Sequence, residues 1–196
     1  GKFADALPLA ERLVALVKGR HAESSLEYAE ALHQLATTYF FQSRHTEAEP
    51  FYLQVLAIRE RALGPGHESV LTVLNTLATL YEFTRRPQLA EPLLKRVLAE
   101  RERTVGPEHP ALANALRSLA EIQSAVQRYG EAETHIRRAL ALYEKIGGSP
   151  VEMVQALGTL AQIELKQGRN VEAERTLQHA LSLHDNVAHS GQATLD

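Results

Sequence analysis

Residues 74–92, LNTLATLYEFTRRPQLAEP, contain two markers that return along the chain at one constant step. The Leu-Ala pair and the Ala-Glu pair each recur with steps of 42, 42 and 41 residues. Two markers in one register predict a stack of similar units, and they favour an extended binding surface over a catalytic pocket. The pairs are Leu35-Ala36, Leu77-Ala78, Leu119-Ala120 and Leu160-Ala161, then Ala48-Glu49, Ala90-Glu91, Ala132-Glu133 and Ala173-Glu174.

Each unit is predicted to be a hairpin of two amphipathic α-helices. From Leu71 to Tyr81, apolar residues recur every three or four positions, as on one face of a helix. Polar residues 84–87 interrupt this stripe, and a second stripe ends at Gly106-Pro107 because proline cannot continue a helix. The recurrent alanines are expected to let the two helices approach closely. No segment alternates with period two, so no strand is expected.

The repeat register also divides the chain. Asp5-Ala6-Leu7-Pro8 aligns with Glu47-Ala48-Glu49-Pro50 one step later, so the chain starts inside a repeat and we expect a fragment of a longer protein. The last residues carry little apolar pattern and are expected to fray. The predicted bounds are a lone helix at 3–20, repeats at about 26–67, 68–109, 110–150 and 151–185, together one array over residues 1–185, and a frayed tail at 186–196.

The composition narrows the class of function. A net charge of -3 argues against nucleic acid as a partner, because that affinity depends on clustered lysine and arginine. No run of about 18 apolar residues occurs, so no membrane partner or membrane span is expected. Cysteine is absent, which removes disulfides, thiolate metal sites and cysteine nucleophiles, and is typical of a reducing compartment. We therefore expect a cytoplasmic protein.

The side chains predict neither a catalytic nor a metal site. His67 and His109 lie one step apart, which favours a repeated structural role. His179, His184 and His189 step by five residues, a spacing that does not place ligands on one helical face. No phosphate-loop, nucleophile-elbow or zinc-protease motif occurs. We therefore expect a protein that is not an enzyme and needs no cofactor.

Charged residues recur at positions that suggest structural roles. Carboxylates recur at the start of the predicted second helices, where they complement the helix dipole. The runs Arg59-Glu60-Arg61 and Arg101-Glu102-Arg103 are predicted to be solvated faces with local charge pairs. The recurrent carboxylates are Glu47, Glu49, Glu91, Glu131, Glu133, Glu172 and Glu174.

The order Leu-x-x-Leu-Ala-x-x-Tyr, followed by a later Ala, resembles the tetratricopeptide repeat. The 42-residue period, with AEPLLKRVLAERERTVG and GPEHP, is similar to the kinesin light chain type of this repeat, and the resemblance extends from residue 3 to about 185. It implies an all-α, right-handed α-solenoid whose first helices line the concave face and bind a protein or peptide. The motif occurs at Leu32, Leu35, Ala36, Tyr39 and Ala48, and at Leu74, Leu77, Ala78, Tyr81 and Ala90.

This chain departs from the resembled families at their binding positions. Kinesin light chain repeats tend to carry paired asparagines just before Leu-Ala, but of these eight positions one, Asn75, is asparagine. The repeats that bind chaperone tails need lysine and arginine, whereas the matching positions here supply neither. We therefore expect neither kinesin-style cargo recognition nor chaperone-tail binding. The chaperone-type positions are His33, Thr37, Thr76, Asn114 and Ser118.

The candidate binding surface is the face of each first helix that lies opposite its apolar stripe. Its polar residues offer donors and acceptors to a peptide backbone, Phe41 and Phe83 offer apolar anchors, and Arg117 beside Glu121 would favour an acidic group. Alternatively, these are solvated polar faces and both phenylalanines pack beneath loops. The candidates are Glu30, His33, Thr37 and Phe41; Thr72, Asn75, Thr79 and Phe83; Asn114, Arg117 and Glu121; Gln155, Gln162 and Lys166.

The sequence is also compatible with two other functions. The chain is alternatively a structural or regulatory segment of a larger multidomain protein, which packs against its own neighbours or self-associates through its exposed solenoid ends. The third interpretation is a sensor that binds a peptide signal and changes its superhelical pitch.

Overall fold

The computed structural model describes the backbone of residues 6–192 and the side chains of residues 6–185. Within this part of the chain it contains nine α-helices and no strand. They are α1 (Ala6–Lys18), α2 (Leu26–Phe41), α3 (His45–Leu63), α4 (Glu68–Phe83), α5 (Pro87–Thr104), α6 (Pro110–Ala125), α7 (Tyr129–Ile146), α8 (Pro150–Lys166) and α9 (Asn170–Gln192). We call α2, α4, α6 and α8 the first helices, and α3, α5, α7 and α9 the second helices.

The chain forms two compact units, residues 1–100 and residues 101–196, which we call unit 1 and unit 2. In unit 1, α2 packs along α3, α1 packs on α2, and α3 packs on α4. In unit 2, α6 packs along α7, α8 packs along α9, and α7 packs on α8. Within each unit, a second helix such as α3 or α7 therefore packs on its own first helix and on the first helix that follows it.

The recurrent alanines lie where the helices of a hairpin meet. Their side chains are fully or almost fully buried, as the sequence predicts, because a small residue lets two helix backbones approach. The leucines that precede them are buried as well and fill the space between the helices. The buried alanines are Ala36, Ala78, Ala120 and Ala161 in the first helices and Ala48, Ala90, Ala132 and Ala173 in the second helices.

Side-chain caps start all four first helices. The Nδ1 atoms of His67 and His109 accept the backbone N–H groups of Ser69 and Ala111, at 3.2 and 3.1 Å. This contact satisfies one of the amides that a helix start leaves without an intrahelical partner, and it is the repeated structural role of these histidines. Ser25 caps α2 and Ser149 caps α8 in the same way.

The turn between first and second helices has one conformation throughout the described chain. One residue takes a positive φ of 58 to 78°, and the arginine after it donates its backbone N–H to a carbonyl five residues earlier, at 2.7 to 3.0 Å. This left-handed turn ends the first helix and reverses the chain. The positive-φ residues are Ser43, Arg85, Gln127 and Gly168, and the arginines are Arg44, Arg86, Arg128 and Arg169.

The charged run at residues 59–61 differs from its prediction as a solvated face. Arg59 is only 9% exposed, and its guanidinium donates to Glu30 at 2.8 Å and to the Ser69 carbonyl at 3.4 Å. Glu60 forms an ion pair with Arg96 of the next second helix, at 2.5 Å. The prediction of local pairs was wrong because these side chains reach neighbouring helices instead of the next turn of their own.

The two ends of the chain are described in part. Helix α1 lies within the lone helix predicted at residues 3–20, of which residues 3–5 fall outside the described part. The backbone of α9 is helical to Gln192, and residues 193–196 of the predicted frayed tail are not described, so that fraying stays a prediction. None of the helices within residues 6–192 combines the length and the apolar character that a bilayer crossing requires.

Candidate functional site

The candidate residues of α2 are held by the second helix α3. Glu30 pairs with Arg59 at 2.8 Å, and the hydroxyls of Thr37 and Tyr52 lie 3.1 Å apart. The ring of His33 meets the ring of Tyr52 edge-on, with centroids 5.6 Å apart. The polar groups of this row are therefore largely satisfied within the hairpin.

His33 lies in a poorly solvated position. Burial and the nearby positive charge of Arg59 lower its pKa from the ordinary value of 6.5, against the opposing effect of Glu30. Its Nδ1 atom is buried and has no hydrogen-bond partner among the described residues. The neutral imidazole is therefore the form that this site favours.

The candidate residues of α4 are the most open in unit 1. Thr72 and Thr79 are exposed, and their hydroxyls donate to carbonyls of their own helix, at 2.9 and 3.1 Å. Asn75 is partly exposed, and within the described chain nothing is hydrogen-bonded to its side-chain amide. This amide is free to donate and accept, which is what an incoming peptide backbone requires.

An aromatic patch, formed by Phe40, Phe41, His45 and Phe83, lies where α2 and α4 end. Phe41 is 64% exposed and Phe83 is 61% exposed, so neither is packed beneath a loop. Phe40 contacts Phe41 and Phe83 edge-on, at centroid distances of 6.0 and 5.7 Å. His45 stacks on Phe83 at 5.2 Å. The two repeats of unit 1 thus present one continuous apolar surface.

In unit 2, the candidate residues of α6 are bound to each other and to neighbouring helices. Arg117 pairs with Glu121 at 2.6 Å, and Glu121 also accepts the Thr159 hydroxyl at 3.2 Å. Asn114 accepts the hydroxyl of Tyr143 at 2.6 Å. Consequently, the charge of Arg117 is already compensated and the amide of Asn114 is already used.

The candidate residues of α8 are exposed. Gln155, Gln162 and Lys166 all face solvent, and no described side chain pairs with them. The register that holds Phe41 and Phe83 in unit 1 holds Ala125 and Lys166 in unit 2. At this position, unit 1 therefore has two exposed aromatic rings, whereas unit 2 has a small residue and a charged one.

Sequence reasoning missed two members of the aromatic patch. Phe40 and His45 lie outside the rows that the helical offsets selected, because Phe40 points toward the next repeat and His45 starts α3. A consecutive Phe-Phe pair at a helix end, one step before another phenylalanine, was the available signal.

The described residues contain no cluster of three or more histidine, aspartate and glutamate side chains with the geometry of a metal site. The side-chain amide of Asn75 can both donate and accept a hydrogen bond, and the exposed phenylalanines of the aromatic patch can contact an apolar group.

Comparison with known families identifies the repeat. One tetratricopeptide repeat model matches residues 1–61, 27–99 and 84–145, and a second matches residues 117–188. A search of curated proteins finds no match.

Solved structures agree with the family match. A Podosopora anserina kinesin light chain protein with nearly identical TPR-like repeats has 25% identity, a TM-score of 0.85, and coverage of 95% of this chain and 89% of its own. BtubC (BKLC) from P. vanneervenii has 20% identity, a TM-score of 0.83, and coverage of 96% and 75%. A Rap protein complexed with competence and sporulation factor has 19% identity, a TM-score of 0.64, and coverage of 94% and 52%.

The repeated hairpins, the buried alanine contacts and the family matches agree over most of the chain. The fold supports a module for protein–protein interaction, with a protein or a peptide as the partner. The chain therefore belongs to the tetratricopeptide repeat family and is an all-α helical repeat solenoid.

Proposed function

We propose that this chain binds a peptide or protein segment on the faces of its first helices, and that α4 provides the main contacts. The aromatic patch carries this proposal, because Phe83, at the end of the row that contains the free amide of Asn75, is largely exposed, and so is Phe41 at the end of α2. A bound segment would form hydrogen bonds to Asn75 through its backbone and would place an apolar side chain on Phe41 and Phe83. Neither catalysis nor a cofactor is part of this function.

The unequal burial of the rows supports this assignment. In unit 1, Glu30 and Thr37 already have side-chain partners, whereas the side-chain amide of Asn75 in the α4 row has none among the described residues. In unit 2, Glu121 compensates Arg117, so an acidic ligand gains less there than an unpaired arginine would give it. We therefore assign the larger share of the affinity to Asn75 and Phe83.

The likeness to a Rap protein supports binding of a partner on this fold. That protein was solved in complex with competence and sporulation factor, although its identity to this chain is only 19%. The likeness therefore supports the fold on which such binding occurs, and the residues named above support the position of the site.

The proposal is tested by selecting peptides from a phage-displayed random library against the wild-type chain. The affinities of the selected peptides are then measured by fluorescence anisotropy for Asn75→Ala and Phe83→Ala. Each change should weaken binding by about 1–3 kcal/mol, as interface anchors do. The melting temperature should stay nearly unchanged because both side chains lie at the surface.

Matched controls come from the second helix α3. Gln54→Ala removes an exposed amide there, and Leu53→Ala removes an exposed apolar side chain. Both controls should leave the affinity unchanged. Selected peptides that ignore Asn75→Ala and Phe83→Ala but lose affinity with the α3 variants would contradict the proposed surface.

A further inference from the structure

Successive second helices are joined by an ion pair that repeats with the 42-residue step. In unit 1, Arg96 of α5 pairs with Glu60 of α3 at 2.5 Å. In unit 2, Arg138 of α7 pairs with Glu102 at 2.7 Å. Because each pair joins equivalent positions, the repeat predicts a third pair one step later.

The third pair is missing in unit 2. The equivalent positions are occupied by His179 of α9 and Glu144 of α7, and no ion pair joins these two side chains. A second replacement accompanies the first, since Thr176 occupies the position that Leu93 holds in α5. Smaller side chains at both positions leave space between α7 and α9.

This space is a groove of about 400 Å³, which we call the α7–α9 groove. Leucines from α7 and α8 line its bottom, and α9 provides one wall. Such a volume accommodates one or two bulky side chains. The lining residues are Arg137, Leu140, Ala141, Glu144, Leu157, Leu160, Arg175, Thr176 and His179. None of the candidate residues of the first helices is among them.

The charges of the α7–α9 groove are unevenly distributed. Arg175 is exposed and has no charged partner among the described residues. Arg137 lies on the opposite wall near the same end and is held by Glu133 at 2.8 Å and Glu164 at 3.2 Å. Glu144 lies two turns further along α7, at the other end of the groove. The end near Arg175 therefore attracts an anionic group, and the end near Glu144 repels one.

We propose that the α7–α9 groove is a second docking site, for a protein segment that carries an acidic residue next to a bulky apolar side chain. The acidic group pairs with Arg175, and the apolar side chain packs on Leu140, Leu157 and Leu160. This site lies on the second helices of unit 2 and is independent of the function proposed for the first helices.

The test uses three acetylated peptide amides, Gly-Ser-Asp-Leu-Phe-Ser-Gly and its variants with asparagine or lysine in place of aspartate. Each is titrated to several millimolar into the ¹⁵N-labelled chain, and amide chemical shifts are followed by NMR. The aspartate peptide should shift amides of residues 137–144 and 175–179, and the lysine peptide should bind about fivefold more weakly, as expected for one exposed charge pair. The asparagine peptide should lie between them.

Two variants assign the contacts. Arg175→Glu should reverse the order of the aspartate and lysine peptides without affecting the core. Ala141→Leu should fill the exposed groove and weaken all three peptides by about tenfold or more, and its matched control, Ala57→Leu, makes the same change at the equivalent exposed alanine of α3 and should not. Thermal melts establish that each variant is folded.

Three outcomes would overturn this inference. They are the absence of shifts for all three peptides, shifts confined to the first helices, and a peptide order that Arg175→Glu leaves unchanged. Sodium octanoate is titrated in parallel, and binding of octanoate without binding of the aspartate peptide would assign the groove to a fatty acid instead. The proposal for the first helices is tested with different variants, Asn75→Ala and Phe83→Ala. Either proposal can therefore fail while the other holds.

Discussion

The two units differ in the residue that lies five positions before each turn arginine. In unit 1 this residue is Tyr39 or Tyr81, and in unit 2 it is Gln123 or Glu164. The backbone carbonyl of this residue accepts the same hydrogen bond in all four repeats. In unit 1 the arginine side chain then lies over the tyrosine ring, with 4.6 Å between Arg44 and the Tyr39 centroid.

In unit 2, hydrogen bonds replace the aromatic contact. Gln123 is fully buried, donates to Glu131 at 3.3 Å and lies 2.8 Å from Nδ1 of His135. Glu164 is 2% exposed and accepts from Thr176 at 2.8 Å and from Arg137 at 3.2 Å. The backbone of the turn therefore maintains the repeat in both units, while the side chain beside it varies as long as its polar atoms are paired.

We expect the greatest loss of stability from changes to the buried leucines of the hairpin core, which both units contain. Leu77→Ala in unit 1 and Leu119→Ala in unit 2 each remove a leucine that is at most 1% exposed. Each should lower the free energy of unfolding by about 2–5 kcal/mol, because a cavity remains in the hairpin core. Urea denaturation measures the loss, and hydrogen exchange should show the larger loss of protection in the unit that carries the change. Variants that unfold at the same urea concentration as the parent would mean that the repeat register is wrong.

The next prediction concerns the buried and hydrogen-bonded carboxylate that distinguishes unit 2. Thr176→Val removes the hydroxyl that donates to the buried carboxylate of Glu164. It should cost about 1–3 kcal/mol in urea denaturation, since a buried acceptor loses one of its donors. The control is Thr134→Val, because that hydroxyl donates to the Gly130 carbonyl of its own helix. Equal losses for both variants would show that pairing of Glu164 does not stabilise unit 2.

The shared features are also those that the sequence predicts well. The helical hairpins, the buried alanines and the structural histidines all follow from periodic patterns, because each depends on contacts at a fixed separation. The burial of Arg59 was not predictable, since Glu30 lies 29 residues away on another helix. Similarly, the offsets found Phe41 and Phe83, but the contact of Phe40 with Phe83 depends on how α2 and α4 are packed. The contacts that the sequence did not predict are those between side chains of different helices, because periodicity does not encode how the helices pack.

A third prediction concerns the turn between first and second helices, in which one of the four positive-φ residues is glycine. Gly168→Ala should destabilise unit 2 by about 1 kcal/mol, because its φ of 78° disfavours any side chain although no atom lies within 4 Å of the new methyl group. Ser43→Gly, at a φ of 60°, should stabilise unit 1 by about 0.5 kcal/mol for the opposite reason. Urea denaturation measures both. A loss of stability on Ser43→Gly would show that unit 1 obtains a favourable contact from the serine side chain.

The smallest effect is a dependence on pH that arises in unit 1. Burial and Arg59 lower the pKa of His33 in the folded chain below its ordinary value of 6.5, so between these two values the unfolded chain binds more protons than the folded one. The stability that the neutral imidazole contributes is therefore complete above about pH 6.5 and is lost as the pH falls through the folded pKa. From pH 7.5 to 5.5, the melting temperature of the wild type should fall more than that of His33→Gln.

The control is His179→Gln, which removes an exposed histidine from unit 2 and should track the wild type. If His33→Gln loses as much stability as the wild type over this range, burial of His33 does not control the acid sensitivity of unit 1.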